Sequence, residues 1–159
     1  MKRRIVSPVF IVLFFTFLLS CSSDDEQRDE EKPTITLQYD NGFPQSCTEL
    51  KRGQRYTIRV KVSDNKELAS YGIDIHHNFD HHTHDDQGAQ CTLGPIKKPV
   101  KPMIYMKNNT LETGKKSYEI VHEVQLGEDI DVGDYHCQIS VTDITGWQAR
   151  TSVDIKIVK

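Results

Sequence analysis

Residues 56–62 have the sequence Tyr-Thr-Ile-Arg-Val-Lys-Val, in which apolar and polar side chains alternate without a break. Successive side chains of a β-strand point to opposite faces of its sheet, so this period of two predicts a strand with one face on a core. The alternation recurs along the chain, and no stretch has the period of an amphipathic helix. The predicted strands, lettered A to G, are centred on residues 35–39, 56–62, 71–75, 103–106, 118–126, 135–141 and 147–157.

Turn signals such as Asn41-Gly42 separate these segments. About seven short strands predict an all-β fold, an immunoglobulin-like or cadherin-like antiparallel β-sandwich. The run 131–137 supports this prediction, because Tyr135 stands two residues before Cys137 as in the tyrosine corner at the start of strand F. Strand B has no inward cysteine, so we do not expect the inter-sheet disulfide of antibody domains.

The N-terminus predicts export and lipid attachment. Residues 2–4 are basic, residues 9–19 form an apolar run broken only by Thr16, and Leu-Leu-Ser-Cys at 18–21 resembles a bacterial lipobox. We therefore predict a lipoprotein signal peptide over residues 1–20 and acylation of Cys21. The membrane is then a partner through the lipid anchor, without a spanning segment.

Residues 21–32 are polar and charged throughout, which predicts an acidic, disordered tether before a domain over residues 33–159. The acidic run Asp24-Asp25-Glu26 also resembles the export signal of Bacteroidetes surface lipoproteins. This resemblance implies a protein in the outer membrane that faces the cell exterior.

The charge balance argues against nucleic acid as a partner. The chain has 20 Lys and Arg against 23 Asp and Glu, a formal net charge of −3, and residues 1–20 contain only basic charges. A nucleic-acid-binding domain would show a basic excess on one face. The sequence contains no GxSxG, HExxH or phosphate-binding glycine loop, and we predict that the protein is not an enzyme.

Lipidation of Cys21 leaves Cys47, Cys91 and Cys137. One disulfide and one free thiol is the simplest arrangement in an exported protein, and three pairings are open. The pair Cys47–Cys91 is favoured because both residues lie in predicted loops, whereas Cys137 has the parity of the core.

All seven histidines are predicted to lie at one end of the sandwich. Five of them fall in residues 76–84, with the sequence His-His-Asn-Phe-Asp-His-His-Thr-His, at the end of strand C and in the loop after it. His136 begins strand F, the neighbour of strand C in this fold. Parity places His76 and His136 on the outer face, and opposed residues have Cβ atoms ~4.5–5.5 Å apart, close enough for two imidazoles to share a metal.

This grouping predicts a transition-metal site. Imidazole and carboxylate ligands suit Zn(II), Cu(II) or Ni(II), and zinc is the favoured cofactor. His122 has core parity and is better explained as a buried, hydrogen-bonded histidine. The predicted ligands are His76, Asp80, His82, His84 and His136, with His77, His81 and His122 as weaker candidates. Two alternatives stay open: a solvated histidine tract, and a calcium site that uses Asp80, Asp85 and Asp86.

The octapeptide at residues 73–80, Ile-Asp-Ile-His-His-Asn-Phe-Asp, is followed by His82 and His84. It resembles the signature of an uncharacterised family of histidine-rich Bacteroidetes lipoproteins with a predicted immunoglobulin-like domain. The resemblance covers most of residues 34–159 and implies an exported lipoprotein of unknown biochemical function.

Two functions follow from these observations. The first is an outer-membrane lipoprotein whose histidine-rich pole captures zinc, copper or nickel, or delivers it to an outer-membrane uptake partner. The second is a non-catalytic module for adhesion or for contact with glycans or proteins, with incidental histidines. In the first, the tether enters strand A at the opposite end, so the metal site is expected to face away from the membrane.

Overall fold

The computed structural model describes residues 29–84 and 91–159, which form eight strands in two sheets. Cys21, the predicted signal peptide, residues 21–28 of the tether, and Asp85 and Asp86 lie outside the described residues. No helix in the described part of the chain is long and apolar enough to cross a membrane. The strands are β1 Thr34–Thr36, β2 Thr48–Lys51, β3 Arg55–Ser63, β4 Leu68–His77, β5 Tyr105–Thr110, β6 Ser117–Gln125, β7 Gly133–Asp143 and β8 Gln148–Val158.

The two sheets share one hydrophobic core. The smaller sheet has the order β1-β3-β6, and the larger has the order β2-β8-β7-β4-β5. Val60 and Ile120 from the first sheet, and Ile73 and Ile139 from the second, belong to one buried cluster. Burial of each such side chain stabilises the fold by roughly 1.5–3 kcal/mol. The predicted all-β sandwich is confirmed, and its immunoglobulin-like subtype stays a prediction.

Alternation in the sequence becomes alternation in burial. In β3, Ile58, Val60 and Val62 are buried, whereas Lys61 between the last two is exposed. The hydroxyl of Tyr135 donates to the carbonyl oxygen of Asp131 at 2.7 Å. This bond is the contact that defines a tyrosine corner.

Two strands differ from the sequence-based expectation. β2 was not predicted, because its four residues are too few to show a period, and it pairs in parallel with β8, which makes that edge of the sheet mixed. The predicted strand over 103–106 lies instead at Tyr105–Thr110, along the edge next to β4. Its polar residues are held there by the ladder with β4 and not by a buried face.

Loops cover the outer face of the larger sheet at the end that carries the histidines. The N–H of Lys97 donates to the carbonyl oxygen of Phe79 at 3.1 Å, and the N–H of Gly94 donates to Asp134 Oδ2 at 2.7 Å. This cover removes from solvent a group of polar side chains on the outer face: Asp134, His136, Ser152 and Asp154. The outer face is therefore a second buried layer at this end.

The cysteines take part in this arrangement. Of the three pairings open from sequence, the structure contains Cys47–Cys91, with Cα atoms 5.5 Å apart. The disulfide ties residues 91–97, which we call the covering segment, to the residues that precede β2. Cys137 is free and completely buried in the core.

Contacts with the sandwich begin before residue 33, where the sequence predicts the start of the domain. Asp29 is buried, its carbonyl oxygen accepts a bond from Trp147 Nε1 at 2.9 Å, and its Oδ1 accepts one from Asn65 Nδ2 at 2.9 Å. Residues from 29 onward therefore contact the sandwich.

Candidate metal centre

The end of β4 and the loop after it bring three histidines to one point. His76 is the penultimate residue of β4, and the chain then reverses through a turn in which the N–H of His81 donates to the carbonyl oxygen of Asn78 at 3.3 Å. His81 has a φ of 60°, a left-handed conformation in which histidine is enriched. The turn sends His82 and His84 back over His76.

The converging atoms are the three Nε2 nitrogens. Nε2 of His76 lies 3.2 Å from Nε2 of His84 and 3.3 Å from Nε2 of His82. The potential ligand atoms of the three residues all lie within 4.8 Å of one another. In tetrahedral zinc sites each nitrogen is about 2.0–2.1 Å from the metal, which places two ligand nitrogens about 3.3–3.4 Å apart. The spacing therefore fits a shared metal ion.

Two carboxylates determine which nitrogen faces this point. Nδ1 of His76 lies 2.7 Å from Asp74 Oδ1, and Nδ1 of His82 lies 2.7 Å from Asp80 Oδ1. An ionised carboxylate only accepts, so each Nδ1 carries the proton and donates it. In the neutral rings, both Nε2 atoms then present lone pairs to each other. A cation held between them would replace this repulsion by coordination.

The carboxylate of Asp80 is itself held in the charged form. The hydrogen bond from His82 lowers the pKa of the Asp80 carboxyl below its ordinary value. Pairs of a carboxylate and a metal-binding histidine fix the ring orientation and raise the basicity of the ligand. Asp80, predicted as a ligand, is thus placed as the hydrogen-bond partner of His82.

Asp74 was not among the site residues predicted from the sequence. It stands two positions before His76 on β4, so both side chains project from the same face of the strand. That period of two was the signal in the sequence that could have identified Asp74.

His136, predicted as a metal ligand on the outer face, lies beside these three histidines. The register pairs it with His76 as expected, and its ring centroid is 4.7 Å from that of His84. Its side chain points to the outer face of the sheet but is completely buried, because the loop after β4 lies over it. Its Nε2–H donates to the carbonyl oxygen of His82 at 3.2 Å. His136 therefore supports the loop that carries His82 and His84.

A second contact of His136 involves Asp154 on β8. The Nδ1 atom lies 2.9 Å from Asp154 Oδ1, although the contact lacks the direction of a hydrogen bond. Burial lowers the pKa of His136 below its ordinary value, which the His82 carbonyl and Asp154 oppose. The ring is a buried packing element in this arrangement.

The three weaker candidates lie away from the triad, the name used here for His76, His82 and His84. His77 stacks on Phe79 with ring centroids 4.9 Å apart, and Nε2 of His81 donates to the carbonyl oxygen of Gly94 at 2.9 Å. His122 faces the space between the sheets, where it is hydrogen-bonded to the hydroxyl of Tyr105. The half-buried, hydrogen-bonded position of His122 agrees with its core parity.

The triad is partly open to solvent. The side chains of His76 and His82 are 25% and 35% exposed. Three imidazoles leave one position of a tetrahedral ion for water or another donor. The site is therefore accessible to an ion from solution.

Comparisons with known proteins add the family of the chain. No curated protein matches it. Among solved structures, the chain is similar to the sporulation control protein Spo0M from Bacillus subtilis, with 10% identity and a TM-score of 0.42 over 80% of this chain and 49% of the other. The chain thus spans about half the length of that protein. A family model described as a domain of unknown function, DUF4625, matches residues 19–158, and the chain belongs to this family.

Proposed function

We propose that this protein is a binding protein for a transition-metal ion, with zinc as the favoured ion and His76, His82 and His84 as its ligands. The observation that carries the proposal is the approach of the three Nε2 atoms at metal-ligand spacing, with two of the rings oriented by Asp74 and Asp80. Imidazole suits zinc, copper and nickel, whereas calcium prefers oxygen.

The proposed role is capture or delivery and not catalysis. A site with three protein ligands and partial exposure keeps an open position, through which an acceptor protein can take the ion by ligand exchange. A cage with four protein ligands would hold the metal as a permanent structural element. An outer-membrane uptake protein is the proposed acceptor.

The proposed location is the outer surface of the outer membrane, anchored through Cys21. The Cys47–Cys91 disulfide supports export, because disulfides persist in oxidising compartments. The lipobox-like segment and the acidic run after it support the anchor and the exterior orientation. Replacement of Cys21 by Ala should release the protein from the membrane fraction, and an unchanged distribution and mass would contradict the anchor.

The geometry also supports an outward-facing site. His136 packs against the triad near the start of β7. Asp143, the last residue of that strand, lies beside Asp29, where the N-terminal segment meets the domain. The two residues are seven positions apart, about 23 Å at the rise of a β-strand. Metal bound at the triad would thus lie at the end of the sandwich away from the tether.

Calorimetric titration with Zn(II), Cu(II) and Ni(II) tests the proposal. The protein is purified without a histidine tag and stripped with a chelator. We expect one ion per chain, and a loss of more than about 100-fold in affinity in His76→Ala, because removal of a direct ligand exceeds the usual effect of an outer partner. His122→Ala is the matched control, and it should keep full affinity.

Two results would contradict metal binding. One is undetectable affinity for all three ions in the folded protein. The other is equal affinity in wild type and His76→Ala. Elemental analysis of the untagged protein, carried out before the chelator step, identifies the ion acquired in the cell.

A second function, contact with another macromolecule, is favoured by one observation. Four large apolar side chains around the covering segment are well exposed: Ile96 at 68%, Val100 at 88%, Ile104 at 74% and Met106 at 68%. Exposed apolar surface of this kind marks contact sites when it is contiguous. If the metal titrations are negative, loss of cell-surface adhesion in an Ile96→Ser, Val100→Ser variant tests this alternative.

A further inference from the structure

Three aspartates meet at the end of the sandwich opposite the histidines. Asp29 precedes β1, Asp64 follows β3 and Asp143 ends β7. Each offers one carboxylate oxygen to a group in which all the oxygens lie within 4.8 Å of one another. Residues distant in sequence are therefore brought to one point where the N-terminal segment meets the domain.

In each aspartate, the Oδ1 oxygen is occupied by hydrogen-bond donors. These bonds come from backbone N–H groups and polar side chains and fix the orientation of the carboxylate. The donors are Glu31 N and Asn65 Nδ2 for Asp29, Lys66 N and Glu67 N for Asp64, and Thr145 N, Thr145 Oγ1 and Trp147 N for Asp143, at distances of 2.8–3.2 Å. The second oxygen of each group is thereby directed away from these donors.

The Oδ2 oxygens are buried, and no donor within residues 29–84 and 91–159 reaches any of them. Asp29 and Asp143 are only 6% and 2% exposed. Carboxylates that share a buried site repel one another, and an unpaired buried charge is costly. The arrangement thus contains oriented, water-excluded negative oxygens that a cation would neutralise.

We infer that Asp29, Asp64 and Asp143 bind a calcium ion. Calcium takes carboxylate oxygens at about 2.3–2.6 Å, so two of its ligands lie up to about 5 Å apart. Magnesium usually keeps several waters and uses one or two carboxylates, and zinc prefers nitrogen and sulfur. Three carboxylates on a scaffold without a nearby imidazole therefore select calcium.

The ion links three separate parts of the chain. It joins the segment before β1 to the turn after β3 and to the end of β7. Asp29 is the ligand nearest the N-terminus, so calcium binding would fasten that segment to the domain. This site differs in both residues and position from the triad proposed to bind a transition metal.

Trp147 provides a direct probe of the site. It is the single tryptophan of the chain, its Nε1 donates to the carbonyl oxygen of Asp29, and its backbone N–H donates to Asp143 Oδ1. Terbium(III) occupies oxygen-lined calcium sites and emits when a nearby tryptophan is excited. The full-length protein, stripped with a chelator, is titrated with terbium and then with calcium.

We expect tryptophan-sensitised terbium emission that calcium displaces, and a calcium-dependent rise in Tm. The titration covers about 10⁻⁴–10⁻³ M calcium, the affinity range of extracellular modules. Asp143→Asn keeps the Oδ1 acceptor but replaces the second oxygen, so affinity should fall more than about tenfold. Its Tm without calcium should equal or exceed that of wild type, since a repulsive charge is gone.

Asp29→Asn is the second variant, because its residue lies outside the strands and its substitution leaves them intact. Asp40→Asn, an exposed aspartate elsewhere, is the matched control and should bind as wild type does. The inference is overturned if calcium neither displaces terbium nor raises Tm, if both variants respond to calcium as wild type does, or if magnesium acts equally well.

Discussion

Nε2 of His76 lies 3.3 Å from Nε2 of His82, while the opposite nitrogen of each ring is bonded to its own aspartate. The bonds to Asp74 and Asp80 hold the two rings in a fixed orientation. A site prepared in this way loses little conformational entropy when an ion binds. The relationship also identifies the two aspartates as residues whose substitution should change affinity without removing a ligand.

Replacement of Asp74 by Asn should lower zinc affinity by about 10–100-fold, the usual effect of losing an outer partner. The carboxylate of Asp74 is 31% exposed and that of Asp80 is 67% exposed. Water competes more strongly for the exposed group, so Asp80→Asn should have the smaller effect. Calorimetry on both variants, with Asp40→Asn as control, measures the difference, and wild-type affinity in Asp74→Asn would contradict the role assigned to it.

His136→Ala should lower the free energy of unfolding by about 2–5 kcal/mol, because it removes a fully buried ring and its contact with Asp154. Urea unfolding in the presence of a chelator measures this loss without any metal contribution. His122→Ala, at a half-buried position, should cost less. A loss below about 1 kcal/mol in His136→Ala would show that the ring is not a packing element.

Cys137 should resist alkylation in the native protein. Burial raises the pKa of its thiol from 9.0 to about 12, and the thiolate is the reactive species. As the pH rises, this thiol ionises in the unfolded chain before it ionises in the folded protein. The thiol's contribution to the free energy of unfolding is therefore complete below about pH 9 and decreases as the pH rises toward 12. Iodoacetamide labelling with and without denaturant checks the reactivity, and rapid labelling of the folded protein would contradict this burial.

The raised pKa of Cys137 should also be visible in how the free energy of unfolding depends on pH. Wild type should lose stability relative to Cys137→Ala as the pH is raised above about 9, because only wild type has this thiol to ionise on unfolding. Urea unfolding of both proteins across that range measures the difference. A constant difference would contradict the raised pKa.

Removal of the disulfide should weaken both stability and metal binding. The Cys47→Ala, Cys91→Ala variant loses a link between residues 44 positions apart, which costs about 2–4 kcal/mol. The covering segment, which the disulfide anchors, also contacts the loop that carries His82 and His84, through the bond from Lys97 N to the carbonyl oxygen of Phe79. Zinc affinity should therefore fall in this variant and stay unchanged in Cys137→Ala, and equal affinity in both would separate the disulfide from the site.

Local sequence was sufficient for most of the strands. In β3, for example, each apolar position of the alternating run is buried or half-buried, because the direction of a side chain on a strand depends only on its position along the chain. β2 could not be predicted in this way. Its four residues are held by parallel pairing with β8, a partner more than a hundred residues later in the sequence.

The sequence by itself determined that a sandwich carries histidines at one end, since alternation and the clustering of His at 76–84 are local properties. Only the tertiary structure decided which of them converge. Parity placed His136 on the outer face correctly, but it contains no information about a loop that covers that face and buries the ring. The grouping of Asp29, Asp64 and Asp143 likewise depends on contacts between distant segments. Which of these side chains meet depends on how distant parts of the chain pack together, and a short-range sequence pattern contains no information about that packing.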